Sequence, residues 1–165
     1  MRESIKISSQ ENKFKMRSAA VILRGKQILV VSTDDTSFFC LPGGYVELNE
    51  TSEEALIREL KEETETNFQI KQYLGVIENY FVNKKYEKVH ELSFYYLVEP
   101  LEPLPTQDFS LIENDKGRII KLNFKWVALT EINSVDIRPA FLKNILLKED
   151  LYFSHHIIKE LGDKM

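Results

Sequence analysis

The chain has 165 residues, 43% of them hydrophobic and 29% charged, enough for one domain with a substantial core and too few for a multidomain machine. Lys and Arg number 22 against 26 Asp and Glu, a net charge of −4, which argues against a nucleic-acid polymer or an anionic membrane as a partner held by bulk charge. The single cysteine, Cys40, excludes an internal disulfide, and the polar N-terminus, with 19–23 as its longest early apolar run, gives the reading of a soluble, cytoplasmic protein without a membrane span.

Residues 1–13 are polar and lack periodicity, so they are read as a loosely held arm or a short edge strand within a single domain spanning 1–165. Two apolar stretches, Ala19-Ala20-Val21-Ile22-Leu23 and Ile28-Leu29-Val30-Val31, flank Arg24-Gly25-Lys26-Gln27 and predict a hairpin. Residues 38–41 form a short strand candidate that Pro42-Gly43-Gly44 stops. Between 50 and 65 the period becomes helical, with Ala55, Leu56, Leu60 and Thr64 along one side. Thr51 and Glu54 have the spacing of a capping box, which starts the helix at Ser52. Residues 68–82 and 92–98 are rich in aromatic and β-branched side chains, with a turn at Asn83-Lys84-Lys85.

Pro100, Pro103 and Pro105 mark a long irregular connection over 99–117. Residues 118–129 predict one or two strands around Trp126, Pro139 opens a helix through Leu147, and 149–161 reads as a further helical stretch. The order of strands, helix, strands and C-terminal helices predicts an α+β domain, a mixed sheet covered on its faces by helices.

The chemistry concentrates in 43–63. Seven glutamates lie between Glu50 and Glu65, against Arg58 and Lys61 alone. On a helix, Glu59, Glu62 and Glu63 at i, i+3 and i+4 share an arc of roughly 100°. Such like-charge neighbours repel, by about 0.2–0.5 kcal/mol per exposed pair, unless a cation compensates. Carboxylate oxygens select magnesium, manganese or calcium, and metal held this way neutralises a phosphate chain and activates water for attack on phosphorus. An acidic helix taken alone is more often a solvated face. The joint spacing of the glycine turn, Glu50, Arg58-Glu59 and Glu62-Glu63 favours the metal reading.

That spacing resembles the Nudix box, in which a glycine is followed at fixed intervals by Glu, Arg-Glu and Glu-Glu. Gly44, Glu50, Arg58, Glu59, Leu60, Glu62 and Glu63 match in register, after a Leu41-Pro42-Gly43 lead-in. Two positions depart: Glu65 stands where the family has glycine, and Thr66 where it has an aliphatic residue. The expectation is that Asn67 takes over as the left-handed helix stop. The resemblance implies the Nudix fold and Mg²⁺- or Mn²⁺-dependent hydrolysis of a nucleoside diphosphate linked to another moiety. It implies Glu59, Glu62 and Glu63 as metal ligands with the carbonyl of Gly43, Arg58 holding the turn before the helix, and Glu50 supporting Arg58. Glu62 or Glu63 is the favoured base, and Glu113 in the long connection the candidate for an additional acid.

Arg17 and Arg24 are candidates for substrate phosphates and Tyr80 for stacking on a base, although each also fits an ordinary surface or core role. His155-His156 has no identifiable partner, and Cys40 reads as a small buried hydrophobe. The small-molecule partner is a nucleoside diphosphate derivative, and a homodimer is compatible with the fold. Two rivals stay open: a nucleotide-sensing module that does not hydrolyse, and isoprenoid-diphosphate isomerisation, for which no activated cysteine arrangement is visible.

Overall fold

The computed structural model describes residues 3–115 and 117–160. The predicted hairpin is β2 (Asn12–Arg24) and β3 (Gln27–Thr33). Its turn places Gly25 at φ +57°, a conformation in which a side chain is strained. The two strands pair only next to that turn, at Leu23↔Ile28 and Arg24↔Gln27, and then splay apart. The segment that follows fills the wedge. Cys40 exchanges backbone hydrogen bonds with Val31 of β3, while the Pro42 carbonyl accepts from Ala20 of β2, and β4 (Gly43–Tyr45) pairs antiparallel with β2. The paired glycines do more than end a strand: they form one.

Helix α1 (Ser52–Thr64) starts as the sequence predicts, with Thr51 and Glu54 capping each other reciprocally. Its apolar side, with Leu56 and Leu60 fully buried, packs on Ala20, Ile22, Leu29, Phe68 and Trp126. Burying a leucine in this way is worth about 1.5–3 kcal/mol. The long strands β5 (Phe68–Val82) and β6 (Lys88–Pro100) pair antiparallel, and β6 runs parallel to β2 from Asn12↔Lys88 to Ile22↔Val98. Strand β8 (Arg118–Ala128) joins the other side of β3. A 3-10 turn at Leu129–Ser134 and helix α2 (Phe141–Leu146) lie behind the second face, around Ala19, Val21, Leu74, Ile77 and Ile137. The result is the mixed sheet between helices that the element order suggests, and with β7 (Phe109–Asp115) and β9 (Ser154–Glu160) at its two edges the strand sequence across it is β7-β8-β3-β2-β6-β5-β9.

Three expectations change, and one left between two readings is decided. Of the two readings of the N-terminal residues, a strand is what forms at β1 (Lys6–Ser8), paired with β2. Residues 1–2 lie outside those described. The proline-rich connection is shorter than expected, because residues 109–115 form β7 (Phe109–Asp115) against β8. Phe109 and Leu111 pack into the α1-side core, and this alternation outweighs the loop composition around it. The segment 149–161 is not helical over its described part: Ser154–Glu160 is β9, lying parallel to β5 from Gly75↔Ser154 to Phe81↔Glu160. An otherwise unpaired edge of a 15-residue strand offers ladder hydrogen bonds that a short amphipathic helix cannot match. Finally, Glu65, not Asn67, takes the left-handed helix stop, at φ 58°.

Candidate functional site

The wedge between β2 and β3 sets Gly43 and Gly44 directly against α1, and the site is built around this contact. The Gly43 N–H donates to Glu63 Oε2 at 3.0 Å, and the Gly43 carbonyl accepts from Arg17 Nη2 at 3.0 Å. At φ +132°, a Cβ on Gly43 would strike Ser18 and Ala19 backbone. A Cβ on Gly44 would occupy the place of the Glu59 carboxyl. Gly43 therefore requires glycine on grounds of space, whereas a side chain at Gly44 would displace the Glu59 carboxyl.

Arg58 ties the turn to the helix. Its Nε and Nη2 donate to the two oxygens of Glu50 at 3.1 and 2.6 Å, and Nη2 also reaches the Tyr45 carbonyl at 3.0 Å. Its Nη1 donates to Glu59 Oε1 at 2.8 Å and, more weakly, to Glu62 Oε2 at 3.4 Å. Burial by itself would lower the guanidinium pKa, but the hydrogen bonds to Glu50 and Glu59 hold it above its ordinary value. Glu50 Oε1 also accepts the Glu47 N–H at 2.7 Å.

The three helix glutamates have unlike surroundings. Glu63 is buried, and burial, reinforced by the nearby Glu59 charge and opposed by the Gly43 N–H and Arg17, pushes its carboxyl up to about 8. Glu59 is also raised by burial, against the pull of Arg58. The Glu62 side chain is the most open, at 45% exposure against 15% for Glu59. All three line a cavity of about 310 Å³ together with Glu113, Gly43 and Arg58.

Glu113 reaches this cavity from β7, on the same face as Phe109 and Leu111, and its charge also raises Glu63. Its position on a strand, rather than in the expected loop, is what aims it. Arg17 lies at the cavity through Gly43. Arg24 and Tyr80 do not join it. Arg24 clamps the 101–108 loop by donating to the Pro105 and Thr106 carbonyls, with its guanidinium 3.9 Å from the Trp126 ring centre. Tyr80 donates to Glu78 at 3.1 Å and stacks on His90, and His155 has a partner in the same Glu78 at 2.7 Å. The Arg17–Gly43 link, between residues far apart in the chain, carries no sequence signal.

Among the described residues no three carboxylate, imidazole or thiol side chains are already drawn together at metal-binding distance. The donor chemistry nonetheless fits a hard divalent cation. Three carboxylates share one small cavity, and burial makes the charged forms of Glu59 and Glu63 costly without a counter-cation, a cost that a divalent ion would relieve. Glu59, Glu62, Glu63 and the Gly43 carbonyl are the oxygens that would hold it. No described helix is long and apolar enough to cross a membrane.

The sequence model of the NUDIX domain matches residues 14–146. An ADP-ribose pyrophosphatase of Methanocaldococcus jannaschii is 44% identical over 59 residues, 34% of this chain and 35% of that protein, so the chain spans about a third of this relative's length. Among solved structures, a NUDIX hydrolase from Nitrosomonas europaea superposes with a TM-score of 0.62 at 16% identity, covering 93% of this chain and 82% of that one. A MutT protein from Bacillus halodurans gives 0.58 at 16% identity, covering 87% and 90%. At such identities these structures establish a shared fold.

Proposed function

The chain belongs to the NUDIX domain family, and from that premise we propose that it is a Mg²⁺- or Mn²⁺-dependent pyrophosphohydrolase, acting in the cytoplasm on a nucleoside diphosphate linked to another moiety. The observation that carries this reading is the contact of the Gly43-Gly44 turn with α1, which gathers Glu59, Glu62, Glu63 and Glu113 around one cavity while Arg58 and Glu50 brace it. A bound divalent cation supplies charge neutralisation for the diphosphate and acidifies water. Glu59, Glu62, Glu63 and the Gly43 carbonyl would hold it, and Arg58 keeps Glu59 in place by its 2.8 Å hydrogen bond. Arg17, fixed on the Gly43 carbonyl, faces the substrate as a charge that does not titrate near neutrality. Glu62, the most solvent-open of the three, accepts the proton of the attacking water.

The test is a panel of ADP-ribose, nucleotide sugars, dinucleoside polyphosphates and oxidised nucleotides, assayed with each metal and again after chelation. Turnover of at least one is expected with metal and none with chelator. Glu63→Gln and Glu62→Gln are each expected to lower kcat by at least about 100-fold. A silent panel under both metals, with ligand binding retained, would transfer the assignment to a sensing module.

A further inference from the structure

A second cavity, of about 550 Å³, lies behind the carboxylate site and shares Arg17 with it. Its floor is a break in the apolar surface of the sheet. Lys15, Glu91 and Asn79 stand in register across β2, β6 and β5, the next row on that face is Arg17, Ser93 and Ile77, and the apolar core resumes at Ala19 and Tyr95. Asn79 and Glu91 are 8% and 7% exposed. Most of this polar floor is satisfied internally: Glu91 pairs with Lys15 at 3.0 Å and accepts from Ser93 at 3.0 Å.

Two atoms are not satisfied. Asn79 Oδ1 and Arg17 Nε are buried without a hydrogen-bond partner. One is an acceptor and the other a donor, and leaving either unmet in a low-dielectric interior is costly. Aromatic surface stands beside them, with Phe38, Phe81 and Tyr95 on the cavity wall and Arg138 stacked 4.4 Å from the Phe38 ring centre. A prenyl chain would leave the polar floor unused, and the puckered face of a sugar ring covers less of the aromatic wall than a flat ring does. A planar heterocycle with adjacent donor and acceptor atoms on its edge uses both.

We propose that this cavity seats the nucleobase of the substrate and that Asn79 is the residue that distinguishes it. The inference rests on the reading of the adjoining site as a diphosphate site, because Arg17 then joins the phosphates to the base through one side chain. Specificity thereby sits on strand positions of the sheet, and a base is selected by the hydrogen-bonding pattern of its edge.

The test is calorimetric titration of the protein in chelator with AMP, GMP, CMP and UMP, and with ribose 5-phosphate as the base-free control. At least one nucleotide is expected to bind about tenfold more tightly than ribose 5-phosphate. Asn79→Leu is expected to erase that advantage, while Asn79→Asp, which replaces the amide donor by an acceptor at the same shape, changes which base is preferred. Melting temperatures of both variants identify any loss of fold, and Asn79→Asp keeps the test open if Asn79→Leu fails to fold. Equal binding of ribose 5-phosphate and all four nucleotides, or an unchanged preference in both variants, overturns the proposal and leaves a water-filled cavity. Monophosphates without metal report no hydrolysis, so a silent activity panel and an empty base site are separate results.

Discussion

Arg58 directs its donors to three carboxylates and one carbonyl, and its side chain is only 14% exposed. Removing it would take from Glu50, itself 16% exposed, the guanidinium that contacts both its oxygens, and breaking a buried pair on one side costs about 3–5 kcal/mol. Arg58→Ala should therefore lower the unfolding free energy by about 3 kcal/mol in urea titrations, with Arg58→Lys in between because an ammonium cannot bridge both Glu50 oxygens. A loss under about 1 kcal/mol would mean that the ion pair is mere surface decoration. The two glycines beside it make a sharper contrast. A methyl on Gly44 meets only the movable end of Glu59, whereas one on Gly43 meets the backbone of Ser18 and Ala19 at a φ hostile to side chains. Gly44→Ala is expected to fold with a near-native melting temperature and impaired metal-dependent activity. Gly43→Ala is expected to melt much earlier, and the reverse order would contradict this account of the wedge.

At the scale of elements, α1 has one strong end and one weak one. Thr51 accepts from the Glu54 N–H at 3.2 Å and Glu54 accepts from the Thr51 N–H at 2.8 Å, so Thr51→Ala should cost about 1 kcal/mol. The other end stops on Glu65 at φ 58°, where a side chain is strained by about 1–2 kcal/mol. Glu65→Gly should stabilise the protein by about 0.5–1 kcal/mol after the extra freedom of the unfolded chain is subtracted. Thermal melts would reveal it, and an unchanged or lower midpoint would show that the Lys61–Glu65 contacts at that turn matter more than backbone strain. The capping box, the hairpin at Gly25 and the period of α1 were legible because their causes are local. What stayed hidden depended on distant partners. The Glu65 stop requires knowing that Asn67 is needed elsewhere, donating to the Glu102 carboxylate through its N–H and Nδ2 at 2.8 and 2.7 Å. Strand β9 exists because β5 offers it an edge, and β7 because Phe109 finds Phe124 stacked 4.7 Å away. The box residues were readable in spacing, while the links of Arg17 to Gly43 and of Glu113 to the cavity arise only when β2, β4 and β7 are assembled.

Across the whole molecule several carboxyls are held below their ordinary range, and the buried one among them gives folding an acid-side pH dependence of its own. Glu91 sits inside the sheet facing Lys15 and Arg17 of β2, with Ser93 and Tyr95 on its own strand, Asn79 from β5 and Cys40 from the wedge segment. Burial would raise its carboxyl, yet the charges of Arg17 and Lys15 and the hydrogen bonds from Lys15 and Ser93 outweigh burial and hold it below the ordinary 4.5. A group with a lower pKa folded than unfolded binds fewer protons in the native state, so the unfolded chain gains on acidification. The stability that Glu91 contributes is therefore fully present above about 4.5 and is lost as pH falls through the folded value. Urea midpoints taken from pH 7 down to pH 3 should fall below that point in the native protein. Glu91→Gln should begin less stable at pH 7, because Lys15 and Arg17 lose their counter-charge, and then decline less steeply, so that the two curves converge in acid. Parallel curves would place the acid sensitivity in the exposed carboxylates instead of in the polar floor beneath the second cavity.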